Sequence, residues 1–466
     1  MLFNSWEYWL FFLIVLPLFY SSPLRIGRYV LLGASYFFYM WWNPKFIILI
    51  VASTLVDYFC GRALPHLSRH RRLVLAVSLV SNLGLLGFFK YYNFFSSSLA
   101  GLFGLSPDSL FLQIVLPVGI SFYTFQSMSY TIDIYRGELE PVRSFVDFAL
   151  FVAFFPQLVA GPIVRAREFL PQLSRWQAPS GRDVQEGIML LLLGLAKKMV
   201  LADHFALVSD SYFGNVSGSP GPWAAWTGTL AFAMQIFFDF SGYTDIARGS
   251  ALLMGFRFPI NFERPYLASS ITEFWRRWHI SLSTWLRDYL YIPLGGNRNG
   301  RIQTYRNLMV TMLLGGLWHG ASWNFVVWGG YHGGLLAAHR MVGRRSSKGA
   351  PGRFSGVFRP FAVLFNFVLV LIGWVFFRAH TFHDSWTTLQ NLFSFHTASV
   401  GLMSWGLWFA LLGSMALAVV EERWRVFQRL VDAPATLRVL YFVAMLVLLE
   451  LFSVTELKIP FVYFQF

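Results

Sequence analysis

Residues 361–377 read FAVLFNFVLVLIGWVFF, an apolar run interrupted only by Asn366 and Gly373. A helix needs roughly 20 apolar residues to cross the hydrocarbon core of a bilayer. No charged residue lies inside this run, and Arg359 and Arg378 flank it. The stretch therefore predicts a membrane-embedded helix. Comparable runs recur along the whole chain, which predicts an all-α, polytopic integral membrane protein.

The other apolar runs are distributed evenly, and the loops between them are too short for a second folded domain. They cover residues 9–20, 29–42, 46–60, 73–89, 111–132, 145–160, 187–200, 223–240, 308–320, 323–338, 405–420 and 439–452. Several are shorter than about 18 residues, so some are expected to be half-spans or tilted segments. We expect roughly 11 to 13 membrane-embedded segments in a single domain over residues 1–466.

Composition supports the same class of protein. The chain is 56% apolar and only 13% charged, which excludes disorder, collagen and ordinary soluble α/β architecture. A net charge of +14 would suggest nucleic acid in a soluble protein, but here it indicates basic cytoplasmic loops and no nucleic-acid partner. Cys60 is the single cysteine, so neither an internal disulfide nor a cysteine-based metal site is expected.

Loop charge predicts the orientation in the membrane. Residues 340–359 and 62–72 carry several arginines and no acid, so both stretches should be cytoplasmic. Residues 209–222 are rich in Ser and Gly with a single acid, and should lie outside. Arg25 and Arg28 after the first run then place the N-terminus outside.

Residues 261–301 break the apolar pattern, because they are too charged to cross lipid yet dense in aromatic side chains. Ser269 or Ser270 can cap a helix, with Glu273 near the N3 position. An apolar stripe follows at spacings of three and four: Trp275, Trp278, Leu282, Trp285 and Leu286. The pattern predicts an amphipathic helix on the membrane or across the cytoplasmic mouth of the bundle. A passive interfacial linker is the alternative.

His319 is an ionisable residue inside an apolar segment, and such residues are functional candidates because burying them in lipid is costly. It lies in GGLWHGASWNF, with glycines on both sides that allow close approach of backbone or ligand. If Arg301 and Arg340 are both cytoplasmic, the chain between them forms a short hairpin with His319 near its turn, deep in the membrane. A neutral imidazole there can act as general base toward an alcohol. A histidine held by a backbone carbonyl is the alternative.

His279, in WRRWHISL, is a second candidate, although its spacing from His319 says nothing about proximity. His332 should fall on a different helix face from His319, and no carboxylate lies near at ligand spacing, so no metal site is expected. The chain has no G-x-S-x-G, no Walker loop and no dinucleotide-binding glycine motif. Serine-hydrolase, ATPase and dinucleotide functions therefore lack support.

Three further stretches place polar side chains among apolar ones, at residues 117–137, 154–165 and 237–249. Their acids and amide need partners if they are buried, and these residues are Asp133, Gln157, Asp239 and Asp245. Pairing between helices and a functional role both remain open for each stretch.

Taken together, the motifs PVGISFYTFQ, FFPQLVAGPIVR, FDFSGYTDIARG, FWRRWHISLSTWLRDYLYIPLGG, GGLWHGASWNFVVWG and GWVFFRA resemble the membrane-bound O-acyltransferase (MBOAT) family. Within that family they resemble the bacterial branch of alginate O-acetylation and teichoic acid D-alanyl transfer proteins. The resemblance covers residues 29–378, and residues after Arg378 carry little motif information. It implies that His319 is the catalytic residue and that His279 matches a second family histidine.

The resemblance also implies a ring of helices around a thin centre, with a tunnel that joins a cytoplasmic donor to an extracytoplasmic acceptor. The motifs supply further candidates for donor or substrate binding: Trp318, Asn324, Arg276, Arg277, Asp288, Tyr243 and Gln157. The arginines of residues 261–301 are expected to attract an anionic donor, either coenzyme A phosphates or an acidic carrier protein.

The function implied is transfer of acetyl groups from a cytoplasmic thioester, with acetyl-CoA the favoured donor and no bound cofactor. The product is an O-acetylated exopolysaccharide such as alginate or cellulose, made at the bacterial inner membrane. The expected partners are a periplasmic protein resembling SGNH esterases and a polysaccharide synthase. D-alanyl or other acyl transfer from a carrier protein is one alternative. A transporter or scaffold without catalysis is another, although a transporter more often has two related halves, which the chain lacks.

Overall fold

The computed structural model describes residues 1–106, 110–159, 161–345, 358–395, 402–454 and 459–464. Every regular element in these ranges is a helix, as predicted. The chain divides into two compact units, one formed by Met1–Leu191 with Ile246–Pro259 and one by Leu192–Asp245 with Ile260–Phe466. The single domain predicted over residues 1–466 stays a prediction.

The first unit contains the helices before residue 192. They are α1 (Trp6–Ser21), α2 (Leu24–Met40), α3 (Ile47–Ala63), α4 (Arg71–Leu86), α5 (Tyr92–Leu102), α6 (Ile120–Arg136), α7 (Phe145–Ala153), α8 (Phe155–Leu158), α9 (Ala166–Ser174) and most of α10 (Gly181–Leu195). A π-helical segment, Gly87–Tyr91, joins α4 to α5.

The second unit contains the remaining helices, except for the last residues of α12. They are α11 (Asp203–Phe213), α12 (Pro222–Leu253), α13 (Ile271–Arg277), α14 (Ile280–Leu286), α15 (Arg301–His319), α16 (Trp323–Arg345), α17 (Arg359–Arg378), α18 (Phe382–Leu392), α19 (Trp405–Trp424), α20 (Val426–Val431) and α21 (Ala435–Phe452). Two π-helical segments belong to it, Ala196–Ala202 and Arg287–Tyr291.

Among the residues that the structure describes, five helical stretches are long and apolar enough to cross a membrane, namely Pro44–Ala63, Ser68–Leu102, Arg359–Arg378, Trp405–Trp424 and Ala435–Phe452. None of the side chains of α21 is buried within the protein. An apolar helix surface left uncovered by protein is what contact with lipid requires. The protein is therefore a multi-pass membrane protein, and the larger number of embedded segments stays a prediction.

Short polar side chains mark where several helices begin. Ser144 accepts a hydrogen bond from the backbone N–H of Asp147 at the start of α7. Thr381 and Asp384 form a complete capping box at the start of α18. Such caps satisfy backbone donors that have no partner within the helix, and each contributes about 1 kcal/mol.

Two predicted apolar runs do not form single helices. The run at 111–132 becomes helical only at Ile120, because Pro117 lacks an N–H and Gly119 adopts a left-handed φ of +76° against the carbonyl of Leu158. The run at 145–160 is divided into α7 and α8 at Phe154, just before Pro156. In both runs the backbone breakers, rather than the apolar composition, set the helix ends.

A buried polar cluster joins α3, α4 and α6 within the first unit. The carboxylate of Asp57 accepts hydrogen bonds from Ser78 (2.6 Å) and Asn82 (2.8 Å), and Ser78 lies 2.8 Å from the hydroxyl of Thr131. Ser53 completes the cluster by donating to Asn82 (2.8 Å). Thr131, in the stretch 117–137, thus takes part in pairing between helices, while both interpretations of Asp133 stay open.

The amphipathic helix predicted within residues 261–301 is two short helices. Ser270 caps α13, and Glu273 accepts hydrogen bonds from the backbone and hydroxyl of Ser269, as the capping pattern indicated. The helix then breaks at Trp278 and His279, and α14 starts at Ile280. Most of the predicted apolar stripe is buried in the second unit, so it does not lie open on a membrane surface.

Candidate active site

His319 is the last residue of α15, at the turn of the helical hairpin that α15 forms with α16. Glycines bring the two helices into close contact. A Cβ atom on Gly316 would overlap the carbonyl oxygen of Phe325, and one on Gly329 would overlap that of Met312. The sequence predicted His319 at such a turn, and the structure confirms that position. Its side chain is only 5% exposed.

His279 is held at the break between α13 and α14. Its backbone φ is +42°, a left-handed conformation that few residues other than glycine adopt. Its Nδ1 lies 3.3 Å from Oδ1 of Asn261, which also accepts from the backbone N–H (3.1 Å) and the hydroxyl (2.9 Å) of Ser281. Because Oδ1 is only an acceptor, Nδ1 must carry the proton, and Nε2 is left with its lone pair.

The two imidazoles are neighbours, with ring centroids 6.5 Å apart. This proximity could not be read from the sequence, because forty residues separate the two positions. Both rings are buried, and burial lowers the pKa of His279 to about 3, so this imidazole is neutral at physiological pH. A neutral imidazole is the form that accepts a proton or a hydrogen bond.

Aromatic rings from five segments surround the pair. They are Trp318 (5.0 Å from His319), Trp328 (5.1 Å from His319), Phe377 (5.2 Å from His319), Phe240 (4.7 Å from His279) and Tyr463 (5.7 Å from His319), measured between ring centroids. Such a wall excludes water and lowers the local dielectric constant, which strengthens electrostatic interactions inside it.

Tyr463 and Asn261 are residues of this site that the sequence reasoning missed. The segment after Arg378 carries no recognisable motif, so nothing pointed to Tyr463. Its hydroxyl oxygen is buried and has no hydrogen-bond partner among the described residues. Asn261 begins a stretch that was singled out, but only the fold reveals that its amide orients His279.

His332 contacts one of the rings that surround the pair, namely Trp328. The centroid of Trp328 is 5.1 Å from His319 and 4.9 Å from His332. Within the described ranges, no group of three His, Cys, Asp or Glu side chains is arranged to hold a metal ion. The expectation that the site uses no metal stays a prediction.

Comparison with known sequences identifies the family. The profile of the membrane-bound O-acyltransferase family matches residues 70–382, a range that includes both histidines. The chain belongs to this family. It is therefore an O-acyltransferase, as its motifs predicted.

Several curated relatives match this acyltransferase over most of its length. A probable alginate O-acetylase of Azotobacter vinelandii is 46% identical over 394 residues, which cover 83% of this chain and 76% of the relative. The peptidoglycan O-acetyltransferase of Helicobacter pylori is 38% identical over 416 residues, covering 83% of this chain and 77% of the relative. The teichoic acid D-alanyltransferase of Bacillus subtilis is 27% identical over 287 residues, covering 57% and 69%.

The two arginines predicted to bind the donor, Arg276 and Arg277, differ in their contacts and in their exposure. Arg277 is ion-paired with Glu273 (2.6 Å) and with Glu422 of α19 (3.0 Å), and Arg264 contacts the same Glu422 (2.6 Å). Arg276 is exposed. Arg277 thus joins α13 to α19, whereas Arg276 remains accessible to a charged ligand.

The other predicted binding residues are spread through both units of the acyltransferase. Trp318 is part of the aromatic wall. Asn324 donates to the carbonyl of Ala379 (2.8 Å), and Asp288 accepts from Arg287 (2.6 Å). In the first unit, Gln157 donates to the carbonyl of Phe151 (2.6 Å). For these residues a role in binding stays a prediction.

The stretch 237–249 of the acyltransferase contains two buried carboxylates. Two lysines of the segment Ala196–Ala202 form ion pairs with them. Lys197 contacts Asp245 (2.6 Å), and Lys198 contacts Asp239 (3.0 Å) and Asp203 (2.7 Å). Tyr243, predicted as a binding residue, packs its ring 4.3 Å from Phe461. The acids of this stretch are therefore paired between helices.

Proposed function

We propose that this enzyme O-acetylates a cell-envelope polysaccharide, using the acetyl group of a thioester that enters from the cytoplasmic side. The observation that carries the proposal is the neighbouring pair His279 and His319 inside a buried aromatic wall. The names of the relatives support an acetyl group and a polysaccharide acceptor, since two of them are O-acetylases of alginate or peptidoglycan.

In the proposed reaction, His319 acts as general base. It takes the proton of an acceptor hydroxyl while the hydroxyl oxygen attacks the thioester carbonyl carbon. The resulting tetrahedral intermediate collapses by breaking its C–S bond. The thiolate leaves, and the imidazolium returns the proton to it. A positioned general base contributes about 10²–10⁴ in rate.

His279 has a complementary role in this proposal. With Nδ1–H donated to Asn261, its Nε2 can only accept a hydrogen bond. A thioester carbonyl offers no donor, so Nε2 cannot bind it. We infer that His279 accepts from an N–H or O–H of the bound substrate and so positions the reacting groups near His319.

The donor is proposed to be acetyl-CoA, with no cofactor resident in the protein. Its phosphates are anionic, and the exposed arginines Arg276, Arg298 and Arg301 offer complementary charge. We propose the bacterial inner membrane as its location, with the basic loops on the cytoplasmic side. We propose as partners a periplasmic SGNH-like transferase and a polysaccharide synthase.

A second candidate is transfer of D-alanine or another acyl group from a carrier protein. The relationship to a teichoic acid D-alanyltransferase favours it, although the identity is lower. The two candidates differ in the donor, because a carrier protein presents the thioester on a folded acidic surface.

The test uses purified protein in liposomes together with the proposed SGNH-like transferase, supplied with labelled acetyl-CoA or with a D-alanyl carrier protein, and an oligosaccharide acceptor. His319→Ala serves as the inactive control. Acetyl transfer from acetyl-CoA by the wild-type protein, and not by His319→Ala, supports the first candidate. Transfer only from the carrier protein supports the second, and transfer by neither would contradict both.

A further inference from the structure

We propose that Lys198, Asp203 and Asp239, termed here the anchor cluster, hold residues 459–463 against the histidine pair. Asp239 is then a positioning residue for acyl transfer. The inference rests on the proposed function in one respect, that the histidine pair is the reaction centre. The position of the segment itself is independent of that assumption.

The anchor cluster is almost closed to solvent, with side-chain exposures of 1% for Lys198, 3% for Asp203 and 2% for Asp239. The ammonium of Lys198 has three N–H donors, and three oxygens lie around it. These belong to Asp203 (2.7 Å), Asp239 (3.0 Å) and the carbonyl of Ile459 (3.4 Å). The donors of the lysine are thus satisfied in part by the backbone of the segment that it holds.

Asp239 makes the second attachment. One carboxylate oxygen pairs with Lys198, and the other accepts the backbone N–H of Val462 at 2.6 Å. A hydrogen bond to a charged acceptor inside a protein is stronger than one between neutral groups. The segment is therefore fixed at Ile459 and Val462, immediately before Tyr463.

Phe240, the residue after Asp239 on α12, packs against the side chain of Tyr463. The ring of Tyr463 lies 4.3 Å from Phe240, 5.7 Å from His319 and 6.4 Å from His279. Asp239 thus binds the backbone of the segment, while Phe240 packs against both Tyr463 and His279. One short stretch of α12 positions the segment and contacts the histidine pair.

The energetics of the cluster favour positioning over stability. Two carboxylates and one ammonium are buried together, and such clusters often contribute no more stability than apolar residues of the same size. Apolar side chains could pack these helices equally well, but they could not accept an N–H from Val462. The charged acceptor is what the segment requires.

Tyr463 of this segment is part of the aromatic wall, so release of the segment opens the wall and admits water to the reaction centre. Water then competes with the acceptor hydroxyl for the thioester. We expect loss of the anchor to lower transfer and to raise the fraction of donor that is hydrolysed. A defect that only weakened helix packing would lower both reactions in proportion.

The experiment compares Asp239→Ala with Asp245→Ala, a matched control. Both substitutions remove an aspartate from α12 that pairs with a lysine of the same π-helical segment, but Asp245 pairs with Lys197. Hydrogen–deuterium exchange of residues 459–464 is measured in detergent, together with transfer and hydrolysis of the donor. Val462→Pro is a second variant, which removes the N–H donor and leaves all buried charges in place.

We expect Asp239→Ala and Val462→Pro to speed exchange in residues 459–464 and to lower kcat for transfer by about 10- to 100-fold, as misplacement of reacting groups does. The donor KM should change little, and hydrolysis should rise relative to transfer. Asp245→Ala should show neither effect. Unchanged exchange in folded Val462→Pro would overturn the proposal. If the two variants exchange faster but the wild-type protein itself transfers no acyl group, only the proposed function is overturned, and the attachment of the segment stands.

Discussion

The imidazoles of His279 and His319 differ in how they are held. His279 is fixed by a hydrogen bond to Asn261 and by an unusual backbone conformation, whereas His319 lies at a hairpin turn among aromatic rings. The proposed roles follow from this difference. One side chain must exchange a proton, and the other need only accept a hydrogen bond.

Glutamine separates these roles, because its amide accepts a hydrogen bond but does not take up a proton at neutral pH. We expect His319→Gln to be as inactive as His319→Ala, with a loss of about 10²–10⁴ in kcat. His279→Gln should keep clearly more activity than His279→Ala. Initial rates at saturating donor measure both comparisons.

Protein levels after purification serve as the control for folding in all four variants. If His279→Gln is as inactive as His279→Ala while His319→Gln retains activity, the general base is His279 and the two roles are exchanged. Equal and complete loss in every variant would indicate that both histidines transfer protons.

At the scale of the helix, the hairpin of α15 and α16 depends on positions that tolerate no side chain. Gly329 faces the backbone of Met312, and a methyl group there would force the two helices apart. Gly334 lies on the same helix with no atom within 4 Å of a Cβ at that position. Substitution of Gly334 by alanine is therefore a matched control for the same substitution at Gly329.

We expect Gly329→Ala to destabilise the protein by about 1–3 kcal/mol, as overpacking does, and to reduce activity by displacing His319. Gly334→Ala should be neutral or stabilising by up to about 1 kcal/mol, since alanine favours the helix. Thermal unfolding in detergent measures both changes. A lower melting temperature for Gly334→Ala than for Gly329→Ala would contradict this view of the hairpin.

The helix α13 carries a second matched pair, Arg276 and Arg277. Arg277→Gln removes ion pairs to Glu273 and Glu422 and should cost about 1–3 kcal/mol, because these groups are only partly buried. Arg276→Gln should leave stability unchanged and raise the donor KM several-fold.

That rise in KM should diminish at high salt, because the Debye length falls from about 10 Å at 0.1 M to about 3 Å at 1 M. Donor titrations of wild-type protein and Arg276→Gln at both salt concentrations provide the measurement. A KM for Arg276→Gln that equals the wild-type value at low salt would remove donor attraction from the role of this residue.

The same helix illustrates what sequence periodicity can predict. The spacing of Trp275, Trp278, Leu282 and their neighbours correctly indicated helical backbone, although it forms two helices rather than one. It could not reveal the break at His279, because the left-handed conformation is stabilised by Asn261, a tertiary contact. Likewise, the charge of Arg277 suggested a ligand, but its partner Glu422 lies far away in the sequence.

At the scale of the whole molecule, composition and apolar runs were sufficient for the fold class, since a chain this apolar can avoid water only in a membrane. The motifs were sufficient for the family, and they singled out His319, whose catalytic role stays a prediction. Tyr463 could not be predicted, because a single tyrosine after the last motif carries no signal until Asp239 and Val462 bring it to the site.

Loop charge makes a prediction about topology that the single cysteine renders easy to test. In a Cys60→Ser background, a cysteine at Ser217 should react with a membrane-impermeant maleimide in intact spheroplasts. A cysteine at Arg69 should react only after the membrane is permeabilised, because the positive-inside rule places it in the cytoplasm. Both positions are exposed in the structure. The opposite labelling pattern would invert the orientation.

The length of α15 has a consequence for the shape of the donor. From Arg301 to His319 the helix has 19 residues, which is about 28 Å at about 1.5 Å per residue, longer than the short half-hairpin that the apolar run suggested. In the proposed orientation, that length approaches the full hydrocarbon thickness of about 30 Å. With the donor entering at the Arg301 end, as proposed, its acyl group would have to be carried at the tip of a long, slender tether. A bulky or compact activated ester would be excluded by reach alone, whatever the reactivity of its carbonyl.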